Sequence, residues 1–219
     1  LLLILADDFT GALDTGVQFA ACGIPTRVVV GEQGDFAAND AAVLVVDTET
    51  RHLPAAEAYA VIAKLTREAM SAGVFSIYKK TDSALRGNIG AELTAMLDAT
   101  GKSLLSFVPA FPQINRVTVN GVHYIEGIPV DRSVFGSDPF EPVTEANVEK
   151  LIHQQCETNV QTISAGHTPD ACQEKTIAVY DCASDEELKG IADSLKKTDS
   201  LGLIAGCAGL AEILPDVLA

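Results

Sequence analysis

The stretch VFSIYKKTDSALRGNIGAELTAMLDATGKSLLSFV, residues 74–108, predicts a strand, a helix and another strand in direct succession. Its two ends, residues 74–78 and 104–108, are short and mostly apolar, without the polar alternation of a half-exposed strand, which is typical of buried strands in a parallel sheet. Between them, apolar side chains recur at helical spacing from Asn88 to Ala99, and Gly101 follows as a stop signal. The stretch therefore predicts a parallel β–α–β unit.

The same alternation of short apolar runs and amphipathic segments continues on both sides of this unit. It predicts further strands at residues 1–6, 26–30, 42–46, 160–163, 176–180 and 201–205, and helices at residues 9–22, 54–71, 144–156, 184–197 and from about 209. We therefore predict an α/β fold in which a doubly wound, mostly parallel sheet carries helices on both faces.

The alternation is interrupted around residues 109–142, where five of the nine prolines fall. Residues 117–124 and 128–130 predict a hairpin that turns at Glu126–Gly127. The rest of this insertion is expected to be a long ordered loop, a feature that is often functional in a compact domain.

The composition excludes several classes of partner. The 219 residues contain 15 Lys and Arg against 30 Asp and Glu, a formal net charge of −15, which disfavours general binding to nucleic acid or anionic lipid. No apolar run approaches the ~20 residues of a membrane-spanning helix. The five cysteines are scattered and form no CxxC pair, which indicates reduced thiols and a cytoplasmic protein.

Charged residues follow two of the predicted strands, at the edge where parallel sheets bind ligands. Asp7 and Asp8 follow the first strand, and residues 79–88 follow the fourth. The second segment has a net charge of +2 in a chain that is otherwise −17, and it leads into a helix N-terminus at Asn88. It therefore predicts an anion site, although a solvated turn whose cations pair with surface carboxylates explains the same residues.

The acidic pair indicates a different chemistry. The carboxylates of Asp7 and Asp8 suit hydroxyl groups, a metal ion or a general base, while the simpler interpretation is that Asp8 or Thr10 caps the first helix. If both segments face one crevice, its ligand carries an anionic end and a hydroxyl-rich end, as a small sugar acid does. His123 is either part of this site or a structural hydrogen-bonding residue.

Three segments resemble the N-terminal domain of the four-carbon acid sugar kinase family, and the resemblance covers essentially the whole chain. They are ADDFTGALDTGVQFA at residues 6–20, KKTDSALRGNIGAEL at residues 79–93 and NGVHY at residues 120–124. The resemblance implies ATP-dependent phosphorylation of a four-carbon sugar acid at its terminal hydroxyl, the acid being D-threonate, D-erythronate or a 3-oxo-tetronate. The segment DTGVQFA, residues 14–20, is more similar to the threonate and erythronate kinases than to the 3-oxo-tetronate kinases.

The resemblance also implies roles for individual residues. Asp7 and Asp8 are the catalytic candidates. The substrate-binding candidates are Thr10, Gly11, Lys80, Asp82, Ser83, Arg86, Asn88 and His123. Arg86 and Lys80, with the helix N-terminus at Asn88, are expected to hold the substrate carboxylate.

In this family the nucleotide is bound by a second, C-terminal domain. We therefore expect residues 1–219 to be a single sugar-acid-binding domain that is inactive by itself. ATP and Mg²⁺ are expected to bind mainly to the C-terminal domain, and no cofactor or metal ligand is predicted within residues 1–219. The sequence is compatible with a homo-oligomer.

Two other functions remain open at this point. A binding-only sugar-acid protein, or an inactive fragment, would carry the same site. A receiver-like signalling module would place an acidic pair after the first strand and a phosphate-accepting aspartate, here Asp47, after the third. Such a module needs a lysine after the fifth strand, where this chain has the apolar segment of residues 109–112.

Overall fold

The computed structural model describes residues 1–31, 36, 40–170 and 173–218, and it confirms the predicted fold class. The elements are β1 (Leu2–Ala6), α1 (Phe9–Ala21), β2 (Thr26–Val30), β3 (Val43–Asp47), α2 (Ala55–Ser71), β4 (Ser76–Lys80), α3 (Ile89–Thr100), β5 (Leu104–Val108), β6 (Arg116–Val119), β7 (Val122–Ile125), β8 (Ile128–Pro129), α4 (Val148–His153), β9 (Asn159–Ile163), β10 (Thr176–Tyr180), α5 (Asp185–Lys197), β11 (Leu203–Gly206) and α6 (Ala208–Leu218).

The main sheet has eight strands in the order β2-β3-β1-β4-β11-β5-β10-β9 among the described residues. All of its strand pairs are parallel. Helices α2, α3 and α4 pack along one face, and α1, α5 and α6 along the other. Each helical layer covers its own apolar core, as in other doubly wound folds.

Strand β1 shows why the sequence lacks alternation. All five of its residues are buried. Leu3 and Leu5 belong to the core under α2 and α3, whereas Leu2 and Ile4 belong to the core under α1 and α6. Because successive side chains point to opposite faces, a strand that is covered on both faces must be apolar throughout.

Several predicted boundaries differ from the structure. Strand β4 begins two residues later than predicted and includes Lys79 and Lys80, which pair with Leu5 and Ala6 of β1. The helix predicted at residues 144–156 is reduced to α4, because Asn147 caps it by accepting a hydrogen bond from the Lys150 N–H at 3.0 Å.

The insertion forms a second, antiparallel sheet in the order β6-β7-β8. The predicted turn at Glu126–Gly127 connects β7 to β8. The single strand predicted over residues 117–124 is wrong, since Asn120 and Gly121 have φ values of 51° and 72° and form a tight turn between β6 and β7. Asp181 fixes this turn by accepting hydrogen bonds from both backbone N–H groups, at 3.0 and 2.9 Å.

Within the described part of the chain, no helix has both the length and the apolar character needed to cross a membrane. Cys22, Cys156, Cys182 and Cys207 are free thiols, and Cys172 lies outside the described residues.

Candidate functional site

The site lies at the point where the direction of the chain through the sheet reverses. Strands β1 and β4 are neighbours, but β1 leads into α1 on one face and β4 into α3 on the other. The two loops therefore diverge and leave a crevice at the carboxyl ends of the strands, where open α/β sheets bind ligands. The loop after β1 carries Asp7 and Asp8, and the loop after β4 spans residues 81–88.

Arg51 connects these two loops. Its Nε donates to Asp7 Oδ2 and its Nη1 to Asp8 Oδ2, both at 2.7 Å, and its Nη2 lies 3.8 Å from Asp82 Oδ1. Arg51 is buried, which by itself lowers the pKa of a guanidinium, but the charges and hydrogen bond of the aspartates raise its pKa overall. Arg51 therefore holds three carboxylates together and stays charged.

Asp7 and Asp8 have different roles in the structure. Asp8 caps α1, because its Oδ1 accepts a hydrogen bond from the Gly11 N–H at 2.9 Å, whereas the predicted alternative cap, Thr10, is exposed. Asp7 is 1% exposed, and its Oδ1 has no hydrogen-bond partner among the described residues. A buried carboxylate oxygen without a partner is costly unless a ligand or water donates to it.

Gly11 is required by close contact rather than by its backbone torsions. A Cβ at this position would lie 2.6 Å from Asp8 Oδ1 and 2.9 Å from Lys80 Nζ. The start of α1 and the side chain of Lys80 therefore approach each other across the crevice, and any larger residue would displace one of the two charged groups.

Lys79 does not belong to the crevice. It is fully buried beneath α3, where its Nζ lies 3.1 Å from Glu92 Oε2. The hydroxyl of Thr50 donates to the other oxygen of Glu92. Burial raises the pKa of Glu92, and the charge of Lys79 opposes this shift. One of the three cations in the predicted anion segment is thus paired inside the protein.

Arg86 is also paired within the protein. Its Nε and Nη2 donate to the two oxygens of Asp82 at 2.9 and 3.0 Å, and its Nη1 donates to Asp138 Oδ2 at 3.2 Å. Burial raises the pKa of Asp82, but the hydrogen bonds from Arg86 and the charges of Arg86 and Arg51 lower it to about 2. These contacts disfavour the predicted role of Arg86 in binding the substrate carboxylate.

Asn88 supports the loop that carries Arg51. Its Nδ2 donates to the backbone carbonyls of Thr50 and Leu53, at 2.9 and 2.8 Å, and it makes no capping bond to α3. The start of α3 is covered by Gln155, whose Oε1 accepts a hydrogen bond from the Ala91 N–H at 3.2 Å. One N–H group of the predicted anion site at this helix N-terminus is therefore already bound by a protein side chain.

Two cations in the crevice have no carboxylate partner among the described residues. Lys80 is 5% exposed, and its Nζ donates to the carbonyl of Thr81 at 2.9 Å. Arg116 donates from Nη1 to the hydroxyl of Ser83, and its guanidinium lies 5.0 Å from the ring centroid of Phe135. The sequence predicted Lys80 as a site residue and missed Arg116.

His123 holds Ser83 in place. Its Nε2 lies 3.0 Å from the Ser83 carbonyl and its Nδ1 lies 3.0 Å from Thr118 Oγ1. Because a carbonyl only accepts, Nε2 carries the proton and Nδ1 accepts from the threonine hydroxyl. Burial, with the nearby charge of Arg116, lowers the pKa of His123 to about 4 despite the hydrogen bond to Ser83. His123 is therefore neutral and structural at pH 7.

Asp47, the candidate phosphate acceptor of a receiver-like module, follows the same edge of the sheet. It is completely buried, and burial raises its pKa. Both properties disfavour attack by Asp47 on an external phosphate donor. In the part of the chain that the structure describes, no group of three His, Cys, Asp or Glu side chains is arranged to hold a metal ion.

These features define an α/β fold with a polar crevice at the carboxyl ends of β1 and β4, and comparison with known proteins identifies the family. A family model described as a sugar-binding N-terminal domain matches residues 2–214, and the chain belongs to this family. It is 35% identical over 98% of its length to the D-threonate kinase of Salmonella typhimurium, of which it covers 53%. It is 34% identical over 87% of its length to the D-erythronate kinase of Heliobacterium modesticaldum, of which it covers 47%. The resemblance to four-carbon acid sugar kinases is confirmed.

The chain spans about half the length of the curated relatives it matches. A crystal structure from Bordetella bronchiseptica, described as a domain-swapped dimer with bound citrate, superposes with a TM-score of 0.87 at 33% identity. That match covers 99% of this chain and 56% of the Bordetella chain. The likeness therefore extends over the whole sheet and both helical layers.

Proposed function

We propose that this chain is the substrate-binding domain of an ATP-dependent kinase that phosphorylates a four-carbon sugar acid at its terminal hydroxyl. The observation that carries the proposal is the polarity of the crevice. Lys80 and Arg116 have no carboxylate partner among the described residues, and Asp7 has a buried carboxylate oxygen without a partner there. A ligand with an anionic end and a hydroxyl-rich end complements both features.

The acidic side of the crevice suits the hydroxyl groups of such a ligand. An ionised carboxylate accepts hydrogen bonds and does not donate them, so Asp7 and Asp8 would orient the ligand's hydroxyls by accepting hydrogen bonds from them. Arg51 holds both carboxylates at 2.7 Å, which fixes their direction before the ligand arrives. One of the two would lie beside the attacking hydroxyl and act as a general base.

The nucleotide would be bound elsewhere. Among the described residues, no three His, Cys, Asp or Glu side chains are grouped to hold a metal ion. ATP and Mg²⁺ would be held mainly by a C-terminal domain outside residues 1–219, as the length of the relatives supports. We propose that residues 1–219 bind the acid in the cytoplasm but do not transfer phosphate alone.

The substrate class is D-threonate, D-erythronate or a 3-oxo-tetronate. Two relatives are named for the first two acids, and the Bordetella structure contains citrate, another small hydroxy acid.

A thermal-shift screen of the purified protein tests this proposal. At 100 times its dissociation constant, a ligand stabilises the folded state by about 2.7 kcal/mol, which corresponds to a rise in Tm of roughly 5–10 °C for a chain of this size. We expect one of the three acids to produce this rise and the neutral polyols threitol and erythritol to produce none. A flat response to all three acids would refute the proposed substrate class.

A further inference from the structure

Arg116 differs from the other arginines of the crevice in how its charge is compensated. Arg51 contacts Asp7, Asp8 and Asp82, and Arg86 contacts Asp82 and Asp138. Arg116 has a serine hydroxyl and an aromatic ring as its contacts instead. Within the described ranges no carboxylate oxygen therefore lies within ion-pair distance of its guanidinium.

Phe135 contacts both Arg86 and Arg116, but the two arginines differ in their other partners. The guanidinium carbons of Arg86 and Arg116 lie 5.2 and 5.0 Å from its centroid. The aromatic ring orients both side chains through cation–π contact, but only Arg86 also has carboxylates bound to its N–H groups. The remaining donors of the Arg116 fork are available to a planar anion, and this geometry suits a carboxylate.

Ser83 adds a donor at the same place. Its hydroxyl oxygen accepts a hydrogen bond from Arg116 Nη1, so the hydroxyl hydrogen is free to donate to a ligand. The position of Ser83 is fixed from behind, because its carbonyl accepts from the buried, neutral His123 at 3.0 Å. A guanidinium and a hydroxyl are thus held side by side.

Lys80 completes the electrostatic environment. The buried thiol of Cys207 is affected by Lys80, Arg116 and Asp82 together. Burial raises its pKa, and the charges of Lys80 and Arg116 both act to lower it. The two cations therefore lie within electrostatic range of one atom at the carboxyl end of β11, next to β4 in the sheet.

We propose that Arg116, with the hydroxyl of Ser83 beside it and Lys80 nearby, binds the carboxylate of the sugar acid and so decides that the protein selects acids over neutral polyols. This inference rests on the proposed function and specifies its substrate contact. The sequence favoured Arg86 for this role. In our proposal Arg86 is structural and holds Asp82 and Asp138 in place.

Calorimetry with matched ligands tests this assignment. The probes are D-threonate and D-erythronate, each compared with its primary amide, which keeps the hydroxyls and loses the charge. We expect the wild-type protein to bind whichever acid has the higher affinity roughly 10- to 100-fold more tightly than its amide, which is the range for a charged hydrogen bond. Arg116→Gln should reduce this preference to below about threefold.

Two further variants keep the test decisive. Arg116→Lys preserves a cation but removes the planar fork, and should lose about tenfold in affinity for the acid while folding normally. Arg132→Gln, at an exposed arginine of the same insertion, serves as the matched control and should keep the wild-type preference. Circular dichroism and Tm establish folding, and if Arg116→Gln does not fold, the lysine variant decides the question.

The outcomes separate the two proposals. If wild-type protein binds none of the three acids of the thermal-shift screen, the proposed function fails and this inference with it. If wild-type protein binds an acid and the Arg116 variants retain the full preference over the amide, the proposed function stands and the assignment of Arg116 is overturned.

Discussion

Lys79 and Lys80 are adjacent in β4, yet they end in two clusters of opposite character. The closed cluster consists of Lys79, Glu92 and Thr50, in which every charged group has a partner and both ion-pair members are at most 1% exposed. The open cluster consists of Lys80, Arg116 and Asp7, whose charges are left incompletely paired among the described residues.

This difference follows from the alternation of side chains along a strand. Neighbouring residues point to opposite faces of the sheet, so Lys79 enters the core beneath α3 while Lys80 reaches towards the start of α1. A charge that is buried for structural reasons must be paired locally. Incomplete pairing at the ends of β1 and β4 is therefore what we expect of groups that serve a ligand rather than the fold.

Breaking the closed cluster should have the largest effect on stability. Lys79→Met leaves Glu92 as a buried acid without its cation, and we expect the free energy of unfolding to fall by about 3–5 kcal/mol. Urea unfolding followed by circular dichroism measures this change.

The matched control replaces both partners. Lys79→Met combined with Glu92→Leu removes the charges together, and the double variant should recover most of the lost stability because no unpaired charge remains. A double variant that is as unstable as Lys79→Met alone would show that the pair does not act as a closed unit.

A smaller effect is expected at His123, which supports the open cluster from within the core. Its folded pKa of about 4 lies below the ordinary histidine value of 6.5, so between these values the unfolded chain binds more protons than the folded protein. The contribution of His123 to stability is therefore complete above pH 6.5 and is lost as the pH falls towards 4, a change of about 3 kcal/mol.

The measurement is the free energy of unfolding at intervals from pH 7 to pH 4. His123→Gln cannot titrate, so its stability should depend less steeply on pH than that of the wild-type protein in this interval. Equal slopes for the two proteins would contradict a buried, neutral histidine.

The fold could be predicted from the sequence because its signals are local. The buried strand β1 is a continuous apolar run, and helices such as α3 repeat at helical spacing and end at glycine. The boundaries of β4 were harder to predict, since a lysine with a buried partner 13 residues away looks like a loop residue. The helix predicted at residues 144–156 was too long because the cap at Asn147 was not recognised.

A candidate site could be proposed from the sequence, but the roles of its residues could not. Strand ends identified Asp7, Asp8 and Lys80, whereas the pairing of Arg86 with Asp82 and Asp138 depends on how the insertion folds back. Arg116 gave one weak signal, as the only Lys or Arg between Lys102 and Arg132. Which arginine stays unpaired is a property of three-dimensional contacts, and no spacing rule reports it.

A crystal structure of the protein with its best-binding four-carbon sugar acid tests the central claim most directly. We predict that the ligand lies in the crevice between β1 and β4, with its carboxylate about 3 Å from Arg116 and Ser83 and a hydroxyl bonded to Asp7 Oδ1. A sugar acid whose carboxylate binds Arg86 and leaves Arg116 without contact, or one that binds away from this crevice, would contradict it.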